Sequence, residues 1–192
     1  MAIPESQLDT WSKQGSVTQS SATYATVKRV LESADAPYVG KRYLSFLQGS
    51  YGNDTNIYAD SDVDVVMQLS STYYYGKDNL SVPERVSLDA DANNSNYGYS
   101  DFKSEVLTHL KKKFGPAVKP GKKAIFIPGD VNRRDTDVLV AVEYRKYLRY
   151  RSVFDQQYVE GVCFWLDDGT KTINYPKIHS KNCTAKHQAT NM

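Results

Sequence analysis

The chain has 192 residues, of which 40% are hydrophobic and 24% charged, and its 24 basic and 22 acidic side chains leave a net charge of +2. This composition is typical of a one-domain globular protein and argues against a disordered or fibrous chain. A charge so close to neutral gives no support for a nucleic-acid partner. There is no apolar run long enough for a membrane span and no basic-then-apolar leader, so we expect a cytoplasmic protein.

Hydrophobic periodicity divides the chain into a short polar arm and one domain. The first 19 residues predict a loose arm, and residues 20–192 predict the domain. The predicted elements are a helix over 22–35, strands over 42–48 and 62–69, a helix over 101–114, and strands over 124–127, 136–144, 159–166 and 171–175. This order favours an α/β (α+β) fold, in which helices pack on a mixed sheet.

The caps and the intervening segments are also predicted. Ser20 or Ser21 caps the first helix and Ser100 caps the second, because serine oxygens accept N–H groups at helix starts. Residues 70–99 show no regular period, so we expect an irregular insertion there. His109, beside the lysines that end the second helix, is expected to be exposed.

Two aspartates share one face of the strand predicted at 62–69. Strand side chains alternate between faces, so Asp62 and Asp64 lie together opposite an apolar face. Two carboxylates so close repel each other unless a cation lies between them. Hard oxygen ligands on an open face suit Mg²⁺, which takes its remaining ligands from water and phosphate.

The strand predicted at 136–144 repeats the arrangement. Val138, Val140 and Val142 form its apolar face, and Asp137 begins the opposite face. If the two strands are neighbours, Asp137 joins Asp62 and Asp64 in a cluster that can hold two metal ions for phosphoryl or nucleotidyl transfer. Asp135 is expected to be a loop residue rather than a ligand.

A turn between the first two strands supplies candidate phosphate donors. Gly49 allows close approach of the backbone, and the exposed N–H groups of such a turn bind anions. The Ser50 hydroxyl and the Gln48 and Asn53 amides add neutral donors. These groups suit a triphosphate whose charge is partly matched by metal.

The same residues carry a family resemblance over about residues 20–191. The motifs are Leu47-Gln-Gly-Ser-Tyr51, Asn53-Asp-Thr-Asn-Ile57, Ser61-Asp-Val-Asp-Val-Val66, Arg134-Asp-Thr-Asp-Val-Leu-Val-Ala141 and Tyr175-Pro-Lys-Ile-His-Ser-Lys-Asn182. In these motifs the chain resembles polymerase-beta-like nucleotidyltransferases, and more closely the bacterial cyclic GMP-AMP synthase and oligoadenylate synthetase-like (CD-NTase) family of antiphage signalling.

The resemblance implies a polymerase-beta-like core in which Asp62, Asp64 and Asp137 bind Mg²⁺, with Mn²⁺ as an alternative. It implies that Gln48, Gly49, Ser50 and Asn53 contact the nucleotide. The substrates would be ATP and other nucleoside triphosphates, and the products cyclic or short linear oligonucleotides. Family members continue past Thr190-Asn191 into a C-terminal helical domain, so that domain is expected to be missing or incomplete here.

Several alternatives stay open at this point. The chain could be an inactive or truncated relative that binds nucleotide without turnover, or it could transfer a nucleotide to protein or tRNA. A regulatory protein partner is compatible with the family, whereas neither a membrane nor a nucleic acid is required. The lysine cluster at 111–113, 119 and 122–123 is read as a solvated surface, with an RNA, DNA or polyphosphate patch as its rival.

Two further clusters have competing interpretations. Tyr73, Tyr74 and Tyr75 could stack on a base or pack the insertion against the body of the domain. His179, Cys183 and His187 could ligate zinc with Cys163, but their spacing does not match a paired zinc knuckle. Cys163 itself reads as a small core residue of its strand.

Overall fold

The computed structural model describes residues 15–48 and 62–176. The helices of this part are α1 (Gly15–Leu31), α2 (Val82–Asp91) and α3 (Tyr99–Phe114). Its strands are β1 (Tyr43–Gln48), β2 (Val63–Gly76), β3 (Lys119–Pro120), β4 (Ile125–Ile127), β5 (Thr136–Ser152), β6 (Asp155–Trp165) and β7 (Lys171–Asn174). Within these residues no helix is both long and apolar enough to cross a bilayer.

All seven strands belong to one mixed sheet, which confirms the predicted fold class. Its order is β1-β2-β5-β4-β3. Strand β6 pairs with the C-terminal half of β5, over residues 142–152, and on its other side with β7. The β2–β5 pair is parallel and every other pair is antiparallel. Strand β5 is therefore the centre of the fold, because β2, β4 and β6 all bond to it.

The apolar faces predicted for β2 and β5 form the core. In β2, Val63, Val65, Met67 and Leu69 are fully buried, and the valines of β5 are buried beside them. Helix α1 lies against β1 and β2, and α3 lies against β3, β4 and β5. Each fully buried aliphatic side chain contributes about 1.5–3 kcal/mol to stability. This packing therefore holds in place the sheet whose opposite face carries Asp64 and Asp137.

Helix α1 differs from its predicted bounds. It begins at Gly15, inside the stretch predicted as an arm, and ends at Leu31 rather than Asp35. Ser20 lies within the helix and is almost completely buried, so it is not the cap. The apolar spacing located the buried face correctly, with Val27 and Leu31 fully buried, but it did not locate the ends.

Helix α3 is confirmed apart from its cap. It begins one residue after Gly98, whose N–H donates to the Asp101 carboxylate at 2.9 Å, so Ser100 is not the cap. The expected exposure of His109 is wrong, since its side chain is 2% exposed. The His109 Nε2 lies 2.9 Å from Ser33 Oγ and 3.0 Å from the Val30 carbonyl, which ties α3 to the end of α1.

The prediction of an irregular insertion at 70–99 is wrong. Strand β2 continues to Gly76, and α2 begins after Ser81. The Ser81 N–H and hydroxyl both donate to the Glu84 carboxylate, at 2.9 and 2.6 Å. This Ser-x-x-Glu pattern is a capping-box signal that the sequence carried. Helix α2 packs on the extended β5–β6 hairpin around a second buried cluster, formed by Leu80, Leu88, Tyr147 and Tyr150.

Candidate active site

A row of polar side chains crosses the sheet where β1, β2 and β5 meet. Gln48 pairs with Asp64 in the antiparallel β1–β2 ladder, and Asp64 pairs with Asp137 in the parallel β2–β5 ladder. Paired residues of neighbouring strands project to the same face. The predicted proximity of the two aspartate-bearing strands is therefore confirmed, and Gln48 stands on the other side of Asp64.

The row borders a small cavity of about 110 Å³. Its polar lining comes from Gln48, Asp64, Asp137 and Lys123, and its apolar lining from Val65, Val66, Ala124 and Leu139. Asp64 and Asp137 are both partly buried. Carboxylates rarely sit in such a place unless a cation or a proton compensates their charge.

Electrostatics in the cavity disfavours two bare carboxylates. Burial raises the pKa of Asp64 above its ordinary value; Lys123 opposes the rise, and the charges of Asp137 and Asp62 add to it. Burial likewise raises the pKa of Asp137, with Asp62 and Asp135 adding to the rise and Lys123 opposing it. A divalent cation would relieve the repulsion that raises both pKa values.

Asp62 stands apart from the other two aspartates. It is exposed just before β2 and lines a separate cavity of about 360 Å³ together with Arg133, Arg134 and Asp135. Across residues 15–48 and 62–176, no three His, Cys, Asp or Glu side chains converge as a metal site. The structure therefore brings Asp64 and Asp137 together, while Asp62 acts on them through its charge.

Asp135 has a structural role, as expected for a residue before the strand. Its carboxylate accepts the Gly129 N–H at 2.5 Å, and its backbone carbonyl accepts the Val63 N–H at 3.0 Å. These two bonds connect the start of β2 to the loop before β5. They hold Asp62 and Asp137 at the same end of the sheet.

The donor set at Asp64 and Asp137 fits Mg²⁺ or Mn²⁺. Two hard oxygen donors lie side by side, with the neutral amide of Gln48 next to them, and the cavity leaves room for a few waters. Mg²⁺ typically takes one or two protein carboxylates and keeps water or phosphate as its other ligands.

Several predicted site residues lie outside the described residues. These are Gly49, Ser50 and Asn53 of the phosphate-binding turn, and His179, Cys183 and His187 of the zinc alternative. Cys163 is fully buried in β6, in agreement with its reading as a core residue.

Some residues of the lysine and tyrosine clusters make ion pairs or packing contacts away from the cavity, and one lysine lines the cavity. Lys112 and Lys113 pair with Asp35 at 3.5 and 2.8 Å. Tyr74 packs on Trp165 and Tyr75 on Tyr147, which favours the packing interpretation for these two rings. Lys123 was predicted only as one member of a lysine cluster, and nothing in the sequence separates it from the lysines around it; the structure places it on the wall of the cavity with Asp64 and Asp137.

Comparison with known proteins identifies relatives of one kind, although no protein-family model matches. The chain is 37% identical to a cyclic UMP-AMP synthase from Rhodothermus marinus, over all of this chain and 64% of that protein. It is 33% identical to the cyclic nucleotide synthase CdnE01 of Staphylococcus haemolyticus, over all of this chain and 64% of that protein. The chain thus spans somewhat less than two thirds of the length of these relatives.

The solved structures that this chain resembles are also cyclic nucleotide synthases. The Rhodothermus marinus CdnE c-UMP-AMP synthase, solved with Apcpp and Upnpp, matches with a TM-score of 0.80 and 36% identity, over 99% of this chain and 62% of that one. The Elizabethkingia meningoseptica CdnE cyclic dinucleotide synthase, solved with GTP and Apcpp, matches with a TM-score of 0.61 and 26% identity, over 97% of this chain and 60% of that one.

Proposed function

We propose that the chain belongs to the family of CdnE-like cyclic nucleotide synthases (CD-NTases), to which its relatives belong, and that the protein is a Mg²⁺-dependent nucleotidyltransferase. Its products would be cyclic or short linear oligonucleotide second messengers, acting in antiphage defence. The observation that carries the proposal is the pairing of Asp64 with Asp137 on one sheet face, beside Gln48.

The proposed substrates are ATP and other nucleoside triphosphates. Two matching structures were solved with triphosphates or their analogues: Apcpp and Upnpp in one, GTP and Apcpp in the other. The cavity of about 110 Å³ is too small for a whole nucleotide, so it would receive the reacting phosphates and their cation while the base and ribose lie outside it.

The proposed reaction joins a ribose hydroxyl to an α-phosphate. A new O–P bond forms, the bond from the α-phosphorus to its bridging oxygen breaks, and pyrophosphate leaves with that electron pair. Asp137 takes the hydroxyl proton as general base, because it would hold the cation that lowers the pKa of the attacking hydroxyl. Asp64 and Asp62 would hold the cation to which the triphosphate binds, and Gln48 offers a neutral amide to a phosphate oxygen.

Magnesium bound at Asp64 and Asp137 would supply charge neutralisation of the phosphates and a lower pKa for the attacking hydroxyl. Asp62 would complete the ligand set by moving toward the other two carboxylates. Its place at the start of β2 allows this, because the residue is exposed and precedes the hydrogen-bonded ladder.

The test is product formation from α-labelled ATP, GTP, CTP and UTP with Mg²⁺ or Mn²⁺, followed by phosphatase treatment. We expect a small phosphatase-resistant product that is absent in the Asp62→Asn/Asp64→Asn double variant. Asp78→Asn is a matched control, because Asp78 is exposed and lies outside the cavity.

Two results would contradict the proposal. Label transferred to protein or tRNA would identify a different acceptor. Product formation by the double variant at the wild-type rate would show that these carboxylates do not organise the reaction.

A further inference from the structure

Lys123 is held at the edge of the cavity by a rigid loop. The Gly121 N–H donates to the Ala124 carbonyl at 2.7 Å and closes a tight turn between β3 and β4. The Asp167 N–H donates to the Lys122 carbonyl at 3.0 Å, which fastens the same loop to the segment after β6. The backbone of Lys123 is therefore fixed, while its four-carbon side chain reaches from an exposed position to the cavity wall.

The charge of Lys123 acts on both paired carboxylates, although Lys123 forms no ion pair with either of them. It lines the same cavity as Asp64 and Asp137, and its charge acts on both. Among the described residues no carboxylate lies within 4 Å of it, whereas Lys113 of the same lysine cluster pairs with Asp35 at 2.8 Å. Lys123 is thus an exposed positive charge, without an ion-pair partner among the described residues, at the wall of a cavity that holds two carboxylates.

Such a charge has two different effects in the two states of the site. Without nucleotide it repels a divalent cation that approaches the same carboxylates. With cation and nucleotide bound, the carboxylates are neutralised and the remaining negative charge lies on the triphosphate. A lysine ammonium then has the phosphate oxygens as its nearest anionic partners.

We infer that Lys123 is a phosphate-binding residue of the nucleotide site, which leaves the carboxylates when the cation binds and contacts the leaving pyrophosphate. This inference rests on the proposed function. The ammonium donates hydrogen bonds to the pyrophosphate oxygens, where the electron pair of the broken bond accumulates. Lys123 therefore stabilises charge that develops during transfer.

The inference predicts effects of opposite sign on two equilibria. Lys123→Met removes a competing cation, so Mn²⁺ binding without nucleotide should strengthen by roughly two- to fivefold, the scale of an exposed charge interaction. The same variant loses a charged hydrogen bond to phosphate, so binding of Apcpp at saturating Mg²⁺ should weaken about tenfold or more.

The experiment measures Mn²⁺ binding by electron paramagnetic resonance and Apcpp binding by calorimetry. The variants are Lys123→Met, Lys123→Arg and the control Lys122→Met, which makes the same change in net charge at the neighbouring exposed lysine outside the cavity. Lys123→Arg should keep most of the Apcpp affinity, and Lys122→Met should leave both equilibria within about twofold of wild type.

The outcomes separate this inference from the proposed function. If Asp64→Asn abolishes metal-dependent Apcpp binding but Lys123→Met binds Apcpp like Lys122→Met, the inference is overturned and the proposed function stands. Parallel weakening of Mn²⁺ and Apcpp binding in Lys123→Met would also overturn it, since that indicates a structural role. If the wild-type protein binds Apcpp equally with and without metal, both fail.

Discussion

Asp64 and Asp137 are paired residues of adjacent parallel strands, and their carboxylates share a cavity with one lysine. The pairing follows from the position of β5, which pairs with β2 from Thr136 to Lys146 with one register shift after Leu69. The strands are buried on one face and place two carboxylates together on the other. Because these carboxylates are partly buried and repel each other, their pairing lowers the stability of the fold.

The first prediction concerns the stability cost of the paired carboxylates. Burial raises the pKa of Asp64, so between the unfolded pKa of about 3.8 and the higher folded value the folded protein binds more protons than the unfolded chain. Stability therefore falls as pH rises through the folded pKa. In EDTA, Asp64→Asn should match the Tm of wild type below pH 4 and exceed it by about 2 °C at pH 7.

Scanning calorimetry at the two pH values checks this prediction. Addition of Mg²⁺ should raise the Tm of wild type and leave that of Asp64→Asn unchanged, because the variant lacks one of the paired ligands. A lower Tm for the variant at pH 7 without metal would show that Asp64 stabilises the fold instead.

His109 should contribute to stability as a buried hydrogen-bonding residue. Its Nε2 lies 2.9 Å from Ser33 Oγ and 3.0 Å from the Val30 carbonyl, so one ring nitrogen contacts two groups at the end of α1. His109→Ala leaves a cavity and removes the contacts of the ring with the end of α1, so it should cost about 2–4 kcal/mol. The Val30 carbonyl keeps its bonds from the Ser33 N–H and hydroxyl. Ser33→Ala should cost about 1 kcal/mol. Urea unfolding measures both, and a surface-like value below about 0.5 kcal/mol for His109→Ala would contradict its burial.

Arg145 should stabilise the distal half of the sheet more than an exposed arginine does. Its guanidinium lies 3.8 Å from the ring centroid of Tyr73 and 4.8 Å from that of Tyr158, and its Nε donates to Glu143 at 2.7 Å. Arg145→Lys keeps the charge but loses the planar stacking, so we expect a cost of about 2 kcal/mol in urea unfolding.

Arg149→Lys provides the matched control for Arg145. Arg149 pairs with Asp155 at 2.7 Å but its side chain is 47% exposed. The control should therefore cost less than about 1 kcal/mol. Equal losses in the two variants would mean that the stacking on Tyr73 and Tyr158 contributes nothing.

The capping box of α2 should show an acid-dependent effect. Hydrogen bonds from the Ser81 hydroxyl and N–H and from the Tyr150 N–H lower the pKa of Glu84. This stabilisation is present above the unfolded pKa of about 4.5 and is lost as pH falls through the lower folded value. Ser81→Ala should cost about 1 kcal/mol at pH 7 in urea unfolding and less at pH 3. A cost that does not depend on pH would exclude the Glu84 carboxylate as the partner.

The site could be predicted from sequence because alternation in strands is strict. Once Val63 and Val65 are placed in the core, Asp64 must face the other way, and the same holds for Asp137 between Thr136 and Val138. The adjacency of the two strands was a conditional expectation that the sheet order confirms. That Asp62 lies on a different cavity was not predictable, because alternation ends where the ladder ends.

Strand alternation could not predict the structure of residues 70–99 or the ends of the helices. Tyrosine, asparagine and serine dominate residues 70–99, so composition concealed the capping box at Ser81. The side chains of α2 contact a hairpin about 60 residues further along the chain, as in the bond from the Tyr150 hydroxyl to Asp91 at 2.8 Å. Packing of this kind overrides local propensity and leaves no local pattern.

The central claim is that Asp64 and Asp137 form the nucleotide site. The most direct test is to titrate Apcpp into the protein in a calorimeter, once in the presence of Mg²⁺ and once in EDTA. The titrations compare wild type with Asp64→Asn and Asp137→Asn. If the paired carboxylates hold the cation, wild type should bind Apcpp only with Mg²⁺, and the affinity for Apcpp should fall at least tenfold in either variant. The control Asp78→Asn should bind Apcpp as wild type does. Mg²⁺-dependent binding of undiminished affinity in both Asp64→Asn and Asp137→Asn would contradict the assignment of this row as the nucleotide site.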